Sequence, residues 1–76
     1  MKASIHYVLF VDLLTSWVEG PYRWKSTAQD NIKRIIAMTP YPPTHAKLRL
    51  EECEGRKRIE TVEVWENRDG QWVQIT

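Results

Sequence analysis

The last third of the chain alternates apolar and polar side chains in the way that is typical of a β-hairpin. One strand is predicted over about 57–66 and another over 71–76. The segment between them, 67–70, reads Asn-Arg-Asp-Gly, and Gly70 can adopt the left-handed conformation that a tight turn requires. This hairpin favours an antiparallel sheet, and a chain of 76 residues has room for only one small domain around it.

Two earlier segments also have the pattern of strands. Residues 4–11 are almost continuously β-branched, aromatic or aliphatic, which predicts a strand that is covered on both faces or lies centrally in the sheet. Residues 46–53 alternate cleanly, which predicts a half-buried antiparallel strand. The turn that follows this strand is predicted at 54–56.

The region between the first strand and the helix is less clearly patterned. The stretch 12–19 has two interpretations, an Asp-capped helical turn or a continuation of the first strand into a hairpin. Gly20-Pro21 then predicts a turn. Residues 22–25 alternate aromatic with basic side chains, so the preferred interpretation places a short second strand there, antiparallel to the first.

A helix is predicted over about 27–38. Its apolar side chains recur at the i, i+4, i+7, i+8 spacing of one helix face, and they are Ala28, Ile32, Ile35 and Ile36. Ser26 and Gln29 match a capping box at the start of the helix. Beyond its end, Pro40, Pro42 and Pro43 prevent continuation.

Together these elements predict a single α+β domain over residues 1–76. Its antiparallel sheet has four to five strands, one helix packs on one face, and the order is β-β-α-β-β-β. The predicted interior joins helix and sheet and consists of Ile32, Ile35, Ile36, Leu48, Leu50, Val62, Val64 and Val73. At about 1.5–3 kcal/mol per fully buried aliphatic side chain, such a cluster offsets chain entropy only narrowly.

Charge and cysteine content narrow the classes of function. Eleven Lys and Arg stand against ten Asp and Glu, so no global basic field draws this chain to nucleic acid. The single Cys53 precludes an intramolecular disulfide and fits a reducing cytoplasm, and no Cys/His spacing indicates a metal or a cofactor. The N-terminal apolar run has only about half the length of a membrane span, so no membrane anchor is expected.

The sequence contains no recognisable catalytic constellation. His45 and Cys53 would lie at opposite ends of one strand, on the order of 25 Å apart, which is too far for a nucleophile and its base. His6 is interpreted as an ordinary strand residue. We therefore expect a binding protein and not an enzyme.

Basic and aromatic side chains form the predicted contact surface. The basic residues that the strand pattern gathers in one region are Lys47, Arg49, Arg56, Lys57 and Arg58. Trp65 and Trp72 are out of phase with the valines assigned to the interior, which predicts that both lie on the side of the sheet away from the helix. Two alternatives remain: acidic neighbours pair with the cations on a solvated face, or Trp17 or the Gly20-Pro21 loop folds over the tryptophans to form a satellite core.

The order of the elements joins an N-terminal strand pair, one short helix and three further strands. The segments that stand out in this order are Ser26-Thr27-Ala28-Gln29, Ile32-Lys33-Arg34-Ile35, Glu60-Thr61 and Asp69-Gly70-Gln71-Trp72. In these features the chain resembles small phage-encoded anti-CRISPR proteins that inhibit type I Cascade surveillance complexes. The resemblance implies a protein of the bacterial host cytoplasm that binds Cascade backbone subunits where guide RNA or target DNA would lie.

The resemblance assigns this role to outward basic residues, which would block DNA hybridisation. The residues to which the role would fall are Lys33, Arg34, Lys47, Arg49, Arg56, Lys57 and Arg58. The near-neutral net charge and the interleaved Glu51, Glu52 and Glu54 depart from a simple polybasic contact.

Two other hypotheses use the same features. A small nucleic-acid-binding accessory domain would use the same basic residues, and its affinity would fall steeply with salt because phosphate contacts release counterions. A homodimeric adaptor would pair sheet edges, for which an uncovered final strand over 71–76 is sufficient.

Overall fold

Five strands form one antiparallel sheet in the computed structural model, which describes residues 4–76, and one helix packs against one face of this sheet. The elements in chain order are β1 (Ile5–Asp12), β2 (Ser16–Tyr22), α1 (Lys25–Met38), β3 (Lys47–Glu54), β4 (Lys57–Arg68) and β5 (Gln71–Gln74). The strands lie in the spatial order β2-β1-β3-β4-β5, so β1 and β3 are central to the sheet. The predicted α+β class is confirmed.

The core lies between α1 and the two central strands. Leu9 of β1 pairs with Leu50 of β3, and Val11 pairs with Leu48. These pairs present their side chains to the helix because residues opposite each other share one face of a sheet. The buried cluster consists of Leu9, Val11, Ala28, Ile32, Ile35, Leu48 and Leu50, with Ile36 packed at its margin. The apolar stripe predicted for the helix therefore supplies its half of the core.

The N-terminal hairpin differs from the prediction. The turn lies at 13–15 and the second strand begins at Ser16, so the placement of that strand at 22–25 is wrong. Gly20-Pro21 does not end a strand but lies inside β2, where the pairing with β1 shifts register. An edge strand tolerates such a dipeptide because its outer side needs no ladder hydrogen bonds. Of the two interpretations of 12–19, the hairpin is the one the structure adopts.

The helix begins at Lys25, two residues before the predicted start, and Trp24 occupies the N-cap position without a side-chain hydrogen bond. The predicted capping box is therefore wrong. The Gln29 side chain instead donates from Nε2 to Glu63 Oε1 of β4, at 3.2 Å. A long side chain that reaches the sheet links two elements, which a local cap does not. The helix ends at Met38, before the prolines, as predicted.

Strand β4 changes phase along its length, and this moves several side chains away from their predicted positions. Its pairing with β3 shifts register between Leu50 and Glu51, so the side chains beyond the shift exchange faces. Val62 packs against the core as predicted. Val64 pairs with Arg49 on the face away from the helix, so its predicted place in the interior is wrong.

Val73 is also misplaced by the prediction. It pairs with Glu66, the residue opposite Lys47, and is 39% exposed. Because Lys47 lies on the same face as Arg49 by strand alternation, Val73 faces away from the helix too.

The C-terminal hairpin closes at Asp69 and Gly70, which have φ angles of 55° and 83°. Two consecutive positive φ values are typical of the type I′ turn, whose twist suits a two-residue hairpin. The predicted turn is confirmed, with β4 extending to Arg68. The regular pairing of β5 ends at Gln74, and the Ile75 amide then donates to the Val64 carbonyl at 2.7 Å.

Within residues 4–76, no helix is long and apolar enough to cross a membrane.

Candidate docking surface

The face of the sheet opposite α1 is not covered by any other element of the described chain. We call it the outer face, and its central side chains are Phe10, Val18, Arg49, Glu51, Arg58, Thr61 and Val64. Four of these side chains form one row across four strands, because Val18 pairs with Phe10, Phe10 with Arg49 and Arg49 with Val64. Val18 is 59% exposed at the edge of this row. The outer face therefore contains an apolar row that has an arginine within it.

Glu51 is the only charged residue buried within residues 4–76, with 2% of its surface exposed. Thr61 donates its hydroxyl to Oε2 at 2.8 Å, across the β3–β4 pair. Oε1 lies 2.8 Å from Arg49 Nε and 3.8 Å from Arg58 Nη1. Oε1 and Arg49 Nε do not form an aligned hydrogen bond, so this contact acts through charge. One buried carboxylate thus holds two guanidinium groups on the outer face.

Arg49 is fixed from two sides. Its guanidinium carbon lies 4.6 Å from the centre of the Phe10 ring, while Nε faces Glu51. The side chain is 43% exposed, so the group is oriented by the protein but remains open to solvent. Stacking on an aromatic face suits the planar, weakly hydrated guanidinium, and a lysine would not be held in the same way.

A surface pocket of about 270 Å³ lies beside this pair. The residues that line it are Phe10, Arg49, Glu51, Cys53, Arg56 and Arg58. Three of the seven basic residues assigned to the site therefore come together in one pocket, although they stem from β3, the β3–β4 turn and β4. The net charge of the pocket lining is positive, since it contains three guanidinium groups and one carboxylate.

The other basic residues lie elsewhere. Lys33 and Arg34 are exposed on α1, and Arg34 donates to Asn31 Oδ1 at 2.6 Å. Because the helix covers the opposite face of the sheet, these two cannot join Arg49 in one contact. Lys47 lies toward one end of the outer face, between Asp12 and Glu66 in the strand pairing. The predicted basic set is thus not one patch but a pocket, a flank and a helix surface.

The tryptophans of the C-terminal hairpin face the helix side of the sheet. Trp65 pairs with Leu48, and both Trp65 and Trp72 pack against the core cluster. Their indole N–H groups donate at 2.9 Å to Glu63 Oε2 and to the Thr39 carbonyl, respectively. The prediction that they lie away from the helix is wrong. For Trp65 it carried a strict two-residue period through the register shift in β4, and Trp72 shares the face of Trp65 because it pairs with Asn67, two residues further along β4.

The alternative interpretation, a satellite core, describes Trp65 and Trp72 better. Trp72 bonds to the carbonyl at the end of the helix, so the cover comes from that region and not from the Gly20-Pro21 loop. Both indoles are half-buried, and their predicted role in partner binding has no support from their surroundings.

Two features of the outer face were not predicted. Phe10 and Val18 belong to it, because the apolar run of 4–11 forms a strand that lies inside the sheet but is covered on one face only, so the second of its two predicted interpretations is the one that holds. The alternation of Phe10 with the buried Leu9 and Val11 carried the relevant signal, because only one set of an alternating strand can meet a single helix. The structure also places His6 directly opposite Cys53.

The His6 ring contacts the Ser4 carbonyl at 3.4 Å, and Cys53 is a half-buried free thiol. No cluster of three metal-ligating side chains occurs in the described part of the chain. The outer face has side chains of the kind that bind an anion or a protein partner.

No protein family model matches the chain, and no curated protein or solved structure is significantly similar to it.

Proposed function

We propose that this protein is a non-enzymatic inhibitor that docks on a host protein complex through its outer face, as the anti-CRISPR proteins that it resembles dock on Cascade. In this role it occupies a surface that the complex uses for nucleic acid. The observation that carries the proposal is an uncovered sheet face on which Arg49 lies among Phe10, Val18 and Val64.

The composition of the outer face favours a protein partner. Arginine and aromatic side chains with apolar surroundings are the residues that dominate protein interfaces, and lysine contributes less there. Arg49 stacks on Phe10, so less side-chain entropy is lost when a partner immobilises it. The strand edge at Val18, 59% exposed, extends the apolar area that a partner would cover.

A second copy of the chain is a poor occupant of the same face. A two-fold interface places the same patch on both subunits, so the arginines of one pocket would approach those of the other. Like charges in such a contact are costly. The sheet edges are also poor dimer surfaces, because β5 has only four residues and β2 contains Pro21. We therefore assign the outer face to a different protein of complementary, acidic character.

The proposal is tested by phage plaquing on bacteria that have an active type I CRISPR system, with and without expression of this protein. Restored plaquing that is lost with Arg49→Glu supports the proposal. Arg34→Glu is the matched control, since it makes the same charge change on the helix surface and should leave inhibition intact. Equal loss with Arg34→Glu would move the contact to the helix, and no restoration in any subtype would overturn the proposal.

The same pair of variants tests docking directly. Immobilised Cascade should retain the wild-type protein and the Arg34→Glu variant at moderate salt, and it should lose the Arg49→Glu variant. Far-ultraviolet circular dichroism of each variant excludes unfolding as the cause. Failure of the wild-type protein to bind any tested complex would contradict the proposed function.

Nucleic-acid binding is the second candidate, and one observation favours it. Trp24 is 62% exposed just before the helix, and the Arg23 guanidinium lies 5.1 Å from its ring. Exposed tryptophan beside arginine is an arrangement on which bases can stack. This candidate predicts that a short single-stranded oligonucleotide binds with an affinity that falls steeply with salt and that Trp24→Ala weakens. If neither salt nor Trp24→Ala changes the affinity for the oligonucleotide, nucleic-acid binding at this place is excluded.

A further inference from the structure

We infer that the pocket between Arg49 and Arg58 is a carboxylate-binding site that takes the side chain of an acidic residue on the docked protein. The inference rests on the proposed function, since it names the group that the outer face would recognise. The pocket is then the part of the outer face that binds a carboxylate, and the apolar row beside it contacts the rest of the partner.

The two guanidinium groups are held by one buried carboxylate. Glu51 is 2% exposed, and the same oxygen, Oε1, faces Arg49 at 2.8 Å and Arg58 at 3.8 Å. Two like-charged groups would otherwise separate in water. A buried carboxylate between them keeps both at the rim of one pocket, so part of the ordering cost of an anion site is already met in the free protein.

The charges that line the pocket are not balanced. The pocket is lined by Arg49, Arg56 and Arg58 against the single carboxylate of Glu51, which leaves an excess of two positive charges. Arg49 and Arg58 still expose 43% and 67% of their side chains. Their remaining donors are therefore accessible, and guanidinium groups bind carboxylates through paired, charge-assisted hydrogen bonds.

The surroundings of the pocket fit a carboxylate on a protein better than the phosphates of a nucleic acid. A nucleic-acid backbone requires cations along a track, whereas Lys33 and Arg34 lie on the opposite side of the molecule and Lys47 lies between two carboxylates, Asp12 and Glu66. The pocket is instead bounded by Phe10 and neighbours apolar Val64. A basic pocket that is bordered by Phe10 and Val64 fits one acidic side chain with apolar contacts beside it, where exclusion of water strengthens the ion pair.

The experiment follows the arginine Nε–Hε signals of the ¹⁵N-labelled protein by NMR while sodium acetate replaces sodium chloride at constant ionic strength. Acetate is the probe because it carries the carboxylate alone. Saturating shifts are expected at Arg49 and Arg58, with no saturation at Arg23 and Arg34, which lie outside the pocket. Shifts of equal slope at all four arginines would overturn the inference.

Substitution then separates the pocket from general electrostatics. Arg58→Gln should weaken acetate binding at Arg49 by roughly two- to fivefold, because an exposed ion pair has a modest effect. The matched variant Arg34→Gln removes the same charge from the helix and should leave acetate binding unchanged. Equal weakening by both variants would show that net charge alone attracts the anion and would overturn the inference.

A short oligothymidylate is titrated in the same way. A glutamate-containing peptide is titrated for comparison. If the Arg49 and Arg58 signals saturate at a lower concentration of the oligothymidylate than of the peptide, the inference is overturned and the pocket is assigned to nucleic acid. The outcomes for the proposed function are separate. Acetate binding at the pocket without any Cascade binding would contradict the proposed function alone, whereas Cascade binding without acetate saturation would contradict the inference alone.

Discussion

Tyr22 shows how the fold changes the chemistry of a single residue. It lies at the end of β2, pairs with Tyr7, and donates its hydroxyl to Glu19 Oε1 at 2.8 Å. Burial, the hydrogen bond to Glu19 and the charge of Glu19 together raise the pKa of Tyr22 to about 12, while the charge of Arg34 opposes them. The neutral phenol is therefore the form that the folded chain stabilises.

The raised pKa predicts a loss of stability at high pH. The unfolded value is 10.0 and the folded value is about 12, so the folded state retains the proton more strongly. The stabilisation is complete below pH 10 and is lost as the pH rises toward 12. Urea unfolding across this range should show the free energy of unfolding falling more steeply for the wild-type protein than for Tyr22→Phe. Parallel pH profiles of the two proteins would contradict the assignment.

At the scale of the element, the pairing of β2 with β1 depends on Gly20. This residue has a φ of +114°, and a Cβ built on it would lie 2.9 Å from the Tyr7 carbonyl oxygen in β1. An L side chain would therefore be strained and would also collide with the backbone of the neighbouring strand. A glycine at this point allows β1 and β2 to approach closely at the register shift.

Gly20→Ala should destabilise the protein by about 2 kcal/mol or more. Gly70→Ala is the matched control, because Gly70 also has a positive φ, +83°, but a Cβ there meets no atom within 4 Å. The control should cost only about 1 kcal/mol, from conformation alone. Urea midpoints followed by circular dichroism measure both. A control that is as destabilising as Gly20→Ala would refute the role of the close approach.

Strand β5 is joined to the helix by Trp72. The indole N–H donates to the Thr39 carbonyl at 2.9 Å, and the ring packs at the margin of the core. Because β5 has only four residues and pairs with β4 alone, this contact ties it to a second part of the molecule, the end of the helix. Trp72 therefore acts in stability.

Trp72→Ala should lower the free energy of unfolding by about 3 kcal/mol, as is typical for the loss of a large packed aromatic side chain. Trp72→Phe should cost about 1 kcal/mol, since it retains most of the packing and removes the hydrogen bond. Trp24→Ala is the control for the loss of an indole, and it should have little effect on stability because Trp24 is 62% exposed. Circular dichroism during urea unfolding distinguishes these three. Similar values for Trp72→Ala and Trp24→Ala would contradict this role.

At the scale of the whole molecule, one side of the helix packs against the sheet and the other side is exposed to solvent. Ile32 is 1% exposed and faces the sheet, while Lys33 next to it is exposed. The single cluster contributed by α1, β1 and β3 is the only extensive core of residues 4–76, so the domain should unfold as one cooperative unit. The outer face therefore forms only when the core on the opposite side of the sheet is packed.

Ile32→Asp should abolish cooperative folding. A buried, unpaired carboxylate costs several kcal/mol, and a domain of this size has a total stability near the lower end of about 5–15 kcal/mol. Lys33→Asp introduces the same residue one position later on the exposed face and should leave the fold intact, with a change within about 0.5 kcal/mol. Dispersion of the amide NMR signals reports both. A well-dispersed spectrum of Ile32→Asp would show that the core lies elsewhere.

The sequence by itself determined the α+β class, the single helix, the three C-terminal strands and their turns. These depend on local patterns: the helical spacing from Ala28 to Ile36, the alternation of 46–53, and turn residues such as Gly70. Each such pattern is complete within a few neighbouring residues, so it can be read without knowledge of the fold.

Only the tertiary structure decided which side chains lie on which face of β4 and which charges share a site. A register shift at Leu50 and Glu51 leaves no local pattern, yet it moves Trp65 to the helix side and Val64 to the outer face. The pocket is also a product of pairing, because Arg49 and Arg58 come from different strands and meet only through the buried Glu51. Contacts between residues distant in sequence depend on register, and register is a property of the assembled sheet.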